Sequence, residues 1–133
     1  MCCLLNTRCL VPAGTQLLAE AGLPLGDLSM HPTVHVAIDG ADEVDGDLHC
    51  IKGGGGCQTQ EKLVAAAAEV FVVVADHRKQ SKCLGLQWKK GVPLEVIAEG
   101  YRPLMLRLEA MGGKPQLRMA SQKAGPVITD NGA

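Results

Sequence analysis

Two apolar, β-branched runs constrain this chain more than anything else in it. VHVAI (34–38) and FVVVA (71–75) each end abruptly at an aspartate, Asp39 and Asp76. Runs that stay apolar instead of alternating suit strands covered on both faces. Between them, residues from Gln60 to about Val70 read as a helix, with Thr59 as a candidate cap and Glu61 in the first turn. Strand, helix and strand in that order predict a parallel βαβ unit. In open sheets of this kind ligands bind beyond the carboxyl ends of the strands, where Asp39 and Asp76 fall.

The flanks follow from punctuation. GTQLLAEAG (14–22) reads as a short amphipathic helix stopped by Gly22, and PLGDLSMHP as a connector. A second unit begins near Gly91. VPLEVI (92–97) reads as a strand, Arg102 to Met111 as a helix closed by Gly112-Gly113, and QLRMA (116–120) and GPVIT (125–129) as strands. Asn131-Gly132 is a hairpin-turn signal with only Ala133 after it, so a return strand is expected to be missing. The expected class is α/β: a Rossmann-like parallel sheet with helices over residues 1–90, then a partial ferredoxin-like α+β unit over 91–133.

Composition removes several function classes. Thirteen basic residues face fourteen acidic ones, so no electrostatic footprint for nucleic acid or an anionic membrane exists. Phe71, Trp88 and Tyr101 are the only aromatics, too few for a base-stacking platform. Cysteines 2, 3, 9, 50, 57 and 83 form no C-x-x-C pair and no zinc spacing with histidines 31, 35, 49 and 77. MCCLLNTRCLVPA lacks the features of a signal peptide, so reduced thiols in a cytoplasmic protein are expected.

The chemistry-bearing segment is IDGADEVDGDLHCIKGGGGCQTQEK (38–62). Calcium binding fails as an explanation. With Gly46 on the invariant glycine of an EF-hand loop, Ala41 and Lys52 fall on its first and last ligand positions. A P-loop needs its lysine after the glycines, and here Lys52 precedes them. The dinucleotide fingerprint needs a glycine at position 58, which is Gln58. What survives is convergence. Asp39 and Asp76 lie at strand ends, four glycines free the backbone to approach an anion, and a helix starts nearby with its positive end. Lys52 and Lys79 are candidate cations and Glu61 a candidate base. Each has a plain alternative: Asp39 and Asp42 as turn caps, Glu61 as a surface residue matched to the helix dipole, Lys79 as a solvated charge, the glycines as a flexible loop.

DGADEVD (39–45), KGGGGC (52–57), TQEK (59–62) and VADHRK (74–79) resemble the type A family of ribose-5-phosphate isomerases, the animal form most closely. So do GVPLEVI (91–97), LRMA (117–120) and AGPVITDNG (124–132). The resemblance implies interconversion of D-ribose 5-phosphate and D-ribulose 5-phosphate in the pentose phosphate pathway, without metal or other cofactor, in a homodimer or homotetramer. It implies that Glu61 is the proton acceptor and that Asp39, Gly40, Ala41 and Asp42 line the sugar site. Lys52, Gly53, Gly54 and Gly55 form a second substrate-contacting segment, and Lys79 is a further contact. An enediolate mechanism needs a carboxylate base, which Glu61 can be. It also needs donors at the developing oxyanion, for which Lys52 and the glycine amides serve, and an acid–base group for ring opening, for which Asp39 is the candidate. The helix dipole would lower the pKa of Glu61 and burial would raise it. Glu43, Asp45 and Asp47 are expected only to keep the loop solvated.

The chain departs from the family at its start. It has no Gly-Ser-Gly-Ser-Thr-type phosphate loop and no leading strand before it, so truncation at both ends is the expectation. Two other readings stay open: an inactive truncated isoform, and a sugar-phosphate sensor. The sensor needs no base, so the retained Glu61 counts against it.

Overall fold

A computed structural model describes residues 2–3 and 12–132 of the chain. In order, they form strand β1 (Cys2–Cys3), helix α1 (Pro12–Glu20) and strands β2 (Val34–Gly40), β3 (Glu43–Val44) and β4 (Cys50–Ile51). Helix α2 (Thr59–Ala67), strand β5 (Ala68–Val74) and helix α3 (Tyr101–Ala110) follow. None of these helices is long and apolar enough to cross a membrane.

The predicted βαβ unit is present. β2 and β5 pair in parallel from Val34 opposite Ala68 to Gly40 opposite Val74. Their carboxyl ends are therefore level, and everything that leaves them starts from one edge of the sheet. The short β1 pairs antiparallel with the other side of β2, Cys2 opposite Ile38, giving the order β1-β2-β5. Helix α2 is shorter than its sequence suggests. It stops at Ala67, and Ala68 is already extended with ψ 139°. The β-branched run beyond Glu69 and pairing with Val34 claim these residues for the strand.

A small cluster holds α2 to the sheet: Val34, Ala37 and Val64 are buried, with Leu28, Ala67 and Ala68 packed against them. The expectation that both strands are covered on both faces is not met for β5. Val70, Phe71, Val72 and Val74 remain exposed, because β5 is an edge strand that among the described residues packs mainly on β2 and α2.

Glycines close the helices as expected. Gly22 has φ +68° and Leu23 N–H reaches back to the carbonyl of Leu18 at 2.9 Å. Gly112 has φ +86° and Gly113 N–H donates to the carbonyl of Leu108 at 2.9 Å. The three strands expected after Gly91 require correction. Residues 92–97 form no strand, and 116–120 meets 125–129 only at a Met119–Pro126 bridge. Two hydrogen bonds flank that bridge, Ala120 N–H to Gly125 O at 3.0 Å and Val127 N–H to Arg118 O at 2.8 Å. A strand exists only with a ladder partner, and 92–97 finds none among the described residues. The Asn131-Gly132 turn does form, with Gly132 N–H donating to Thr129 O at 3.0 Å.

Candidate active site

The acidic loop turns out to be a hairpin, β3 to β4, whose carboxylates have separate tasks. Asp45 folds the turn: its Oδ1 accepts from the amides of Asp47 at 3.0 Å and His49 at 2.9 Å. Leu48 completes the turn at φ 65°, outside the usual range for a leucine. Asp47 is exposed. Glu43 does not solvate the loop as expected; its side chain is fully buried. Its carboxylate accepts from Gly85 N–H at 2.5 Å and Gln87 N–H at 2.7 Å, stitching the hairpin to residues 85–88. Burial opposes its charge, but those amides, Ser81 and Trp88 outweigh it and hold the carboxyl at a pKa of about 2.

The residues flanking the anchored hairpin and the start of α2 border a cleft of about 180 Å³. Asp39, Gly40, Ala41 and Asp42 form one wall and Lys52, Gly53, Gly54 and Gly55 the other, with Glu61 projecting from the first turn of α2. These are nine of the ten sequence candidates. The tenth, Lys79, sits in the 3₁₀ turn His77–Lys79 after β5 and does not line the cleft. Asp76 is also elsewhere engaged, capping that turn and pairing with Arg78 at 2.6 Å.

At the centre lies Lys52. Its Nζ stands 2.5 Å from Asp39 Oδ2 and 3.6 Å from Glu61 Oε2, and it donates to the carbonyl of Gly40. Asp39 Oδ2 is buried and ion-paired with that ammonium. Asp39 Oδ1 accepts from the amide of Gly40 at 2.8 Å, which fixes the rotamer. The pKa of Glu61 is raised. Burial is the largest cause, Lys52 opposes it, and the carboxylate of Asp39 adds to it.

The glycines are ordered by contacts. Gly54 N–H donates to Asp42 Oδ2 at 2.8 Å, its carbonyl accepts from Arg118 at 3.0 Å, and the indole of Trp88 lies against it. A Cβ on Gly54 would lie 2.5 Å from the Trp88 ring and 2.7 Å from Asp42 Oδ2, so only glycine fits. Gly53 has φ +86°, and its carbonyl accepts from the Gln58 amide at 3.1 Å. The amides of Gly53 and Gly55 have no partner among the described residues.

The start of α2 also differs from expectation. Gln58, not Thr59, precedes the helix, and neither caps it through a side chain. The Thr59 amide donates instead to Glu95 Oε2 at 2.7 Å. The positive helix end predicted to help hold an anion is thus already occupied by a carboxylate. Glu43, Trp88, Glu95 and Arg118 were not among the sequence candidates. Each acts on a partner more than thirty residues away, which no local pattern announces.

Known proteins match this chain in sequence and fold. Residues 12–133 match the family described as Ribose 5-phosphate isomerase A (phosphoriboisomerase A). The chain is 58% identical over 120 residues to a ribose-5-phosphate isomerase of Dictyostelium discoideum, covering 89% of this chain and 52% of that protein. It is likewise 58% identical over 118 residues to one of Homo sapiens, covering 88% and 38%. Among solved structures, ribose 5-phosphate isomerase A from Methanocaldococcus jannaschii superposes with a TM-score of 0.81 at 42% identity, over 92% of this chain and 53% of that one. A D-ribose-5-phosphate isomerase in complex with phospho-erythronic acid gives 0.83 at 39% identity, over 92% and 52%. The chain thus spans about half, or less, of the length of these relatives. With nearly all of its own length matched at this identity, the chain belongs to the ribose 5-phosphate isomerase A family.

Proposed function

We propose that the cleft isomerises D-ribose 5-phosphate and D-ribulose 5-phosphate, an aldose–ketose interconversion of the pentose phosphate pathway, through an enediolate. The observation that carries this reading is the placement of Lys52 between two carboxylates of unequal environment, Asp39 and Glu61. Glu61 is the base. It removes the C2 proton of the open-chain aldose and returns it to C1, while the proton on O2 passes to O1. A raised pKa suits the task, since a base closer to neutrality takes a carbon-bound proton more readily than an ordinary carboxylate.

Charge develops on the sugar oxygen as the proton leaves. Lys52 Nζ and the unpartnered amides of Gly53 and Gly55 are the donors available for it. Asp39 sits beside Lys52 and serves ring opening of the furanose, taking the anomeric hydroxyl proton and passing it to the ring oxygen as the bond from C1 to that oxygen breaks. Gly40, Ala41 and Asp42 line the sugar. Asp42 also holds the glycine loop in place through Gly54. Lys79 is assigned a substrate contact from the family resemblance alone. Exposed apolar residues on β5 support self-association of the chain as a further part of this reading.

The test is conversion of D-ribose 5-phosphate by the purified chain, followed by NMR. Ribulose 5-phosphate is the expected product, with unphosphorylated ribose converted far more slowly. An inert chain, or one that converts both sugars alike, contradicts the reading.

A further inference from the structure

Glu95 lies outside the cleft, in the segment that forms no strand, yet it reaches the helix that carries Glu61. Its Oε2 accepts from the Thr59 amide at 2.7 Å. Its Oε1 accepts from the Thr129 hydroxyl and from Asn131 Nδ2 at 3.0 Å. Gln60, next along the helix, donates to Asn131 Oδ1 at 2.9 Å and to the carbonyl of Asp130 at 3.3 Å. One carboxylate therefore ties residues 92–97 and 129–131 to the first turn of α2, two residues before Glu61. We propose that Glu95 is a positioning residue for Glu61: it fixes the first turn of α2 and neutralises the positive helix end beside the base.

Amides at a helix start carry partial positive charge that falls off within one turn, and Glu61 lies within that turn. An uncompensated end would favour the carboxylate of Glu61 and weaken it as a base. With Glu95 on the Thr59 amide, that pull is offset. The other groups facing Glu61 among the described residues are Lys52 from the end of β4, Asp39 from β2 and Cys57 from the glycine loop, whose thiol donates to Asp130. None of these accepts from the Thr59 amide at the helix start. Glu95 is well placed to stay charged, because its hydrogen bonds outweigh burial and hold it at about 2.

The inference rests on Glu61 being the base, and its test reads Glu61 without turnover. The carboxyl carbon of Glu61 is titrated by NMR in the full chain, alongside Glu95→Gln and Glu95→Asp. Glu95→Gln is expected to lower the Glu61 titration by about 0.2–0.7 unit, the size of a charge interaction at a helix end. Glu95→Asp keeps the charge and should leave the titration near its original value. In turnover, Glu95→Gln should lower kcat by about tenfold or more with little change in KM, because misplacement of the base acts on the chemical step. An unmoved Glu61 titration in a folded Glu95→Gln chain overturns the inference, as does an equal shift in Glu95→Asp. Should Glu95→Gln fail to fold, Asn131→Ala decides. A displaced Glu61 titration or loss of exchange protection at the Thr59 amide supports the role, and the absence of both overturns it. An inert chain with a displaced titration would defeat the proposed activity alone. An active chain with an unmoved one would defeat this inference alone.

Discussion

Three carboxylates within one short stretch of sequence meet three different fates, and two of them carry opposite pH signatures. Glu61 binds its proton more tightly in the folded chain than it would unfolded, since burial raises its pKa. Its contribution to stability is therefore present below the ordinary carboxylate value and lost as pH rises through the raised one. The opposite holds for Glu43, depressed from 4.5 to about 2. Its contribution is present above the ordinary value and lost as pH falls from about 5 toward 2. Thermal melts across that range should show a falling midpoint, and Glu43→Gln should lower the midpoint at neutral pH and flatten the acid slope. An unchanged slope would mean that Glu43 is not held by the amides of Gly85 and Gln87. Lys52 supplies the complementary test. With Lys52→Met the two carboxylates lose the cation between them, and the Glu61 titration read by NMR should rise by about one unit or more. No rise would place the ammonium away from Glu61. Asp45 holds the hairpin turn through the amides of Asp47 and His49.

At the scale of elements, the glycine loop shows how a stretch that reads as freedom becomes a fitted part. Gly54 has no room for a Cβ between Trp88 and Asp42, whereas a Cβ on Gly55 meets nothing within 4 Å. Gly54→Ala should therefore cost about 1–3 kcal/mol by overpacking and raise KM as the loop shifts. Gly55→Ala should change stability by no more than about 0.5 kcal/mol. Denaturant melts of the two variants check this, and equal losses would contradict the packing of Trp88. The same distinction separates what was legible in the sequence from what was not. Asp39, Lys52 and Glu61 could be read because β-branched runs fix strands, strands fix their ends, and ligand chemistry gathers at those ends. Gly22 and Gly112 could be read because a positive φ after a helix is a local demand. Glu43 could not, since its acceptors' partners lie beyond residue 80 and an acidic residue in a loop ordinarily faces water. Residues 92–97 looked like a strand because their composition suits one, but pairing is decided by the partner, and the segment is tied instead through the Glu95 side chain to a helix end and to residues 129–131.

Across the whole molecule, the sheet joins a site of ordered charge to an apolar edge. β5 leaves Val70, Phe71, Val72 and Val74 at 37–61% exposure on an edge strand. Such an edge favours pairing with another chain. Sedimentation should show concentration-dependent association, weakened by a Val72→Lys substitution; a monomer at all concentrations would contradict the exposure of this edge. The central claim is that the carboxylate of Glu61 takes a proton from carbon in this cleft. Whether product forms or deuterium from solvent enters, the C2–H signal of ribose 5-phosphate must disappear in deuterated water. The decisive measurement is the rate of that loss by proton NMR for the chain and for Glu61→Gln. Loss of the signal is expected with the chain, at a rate about 10²–10⁴-fold lower with the variant. Equal rates for the two, or a signal that persists with the unaltered chain, would contradict it.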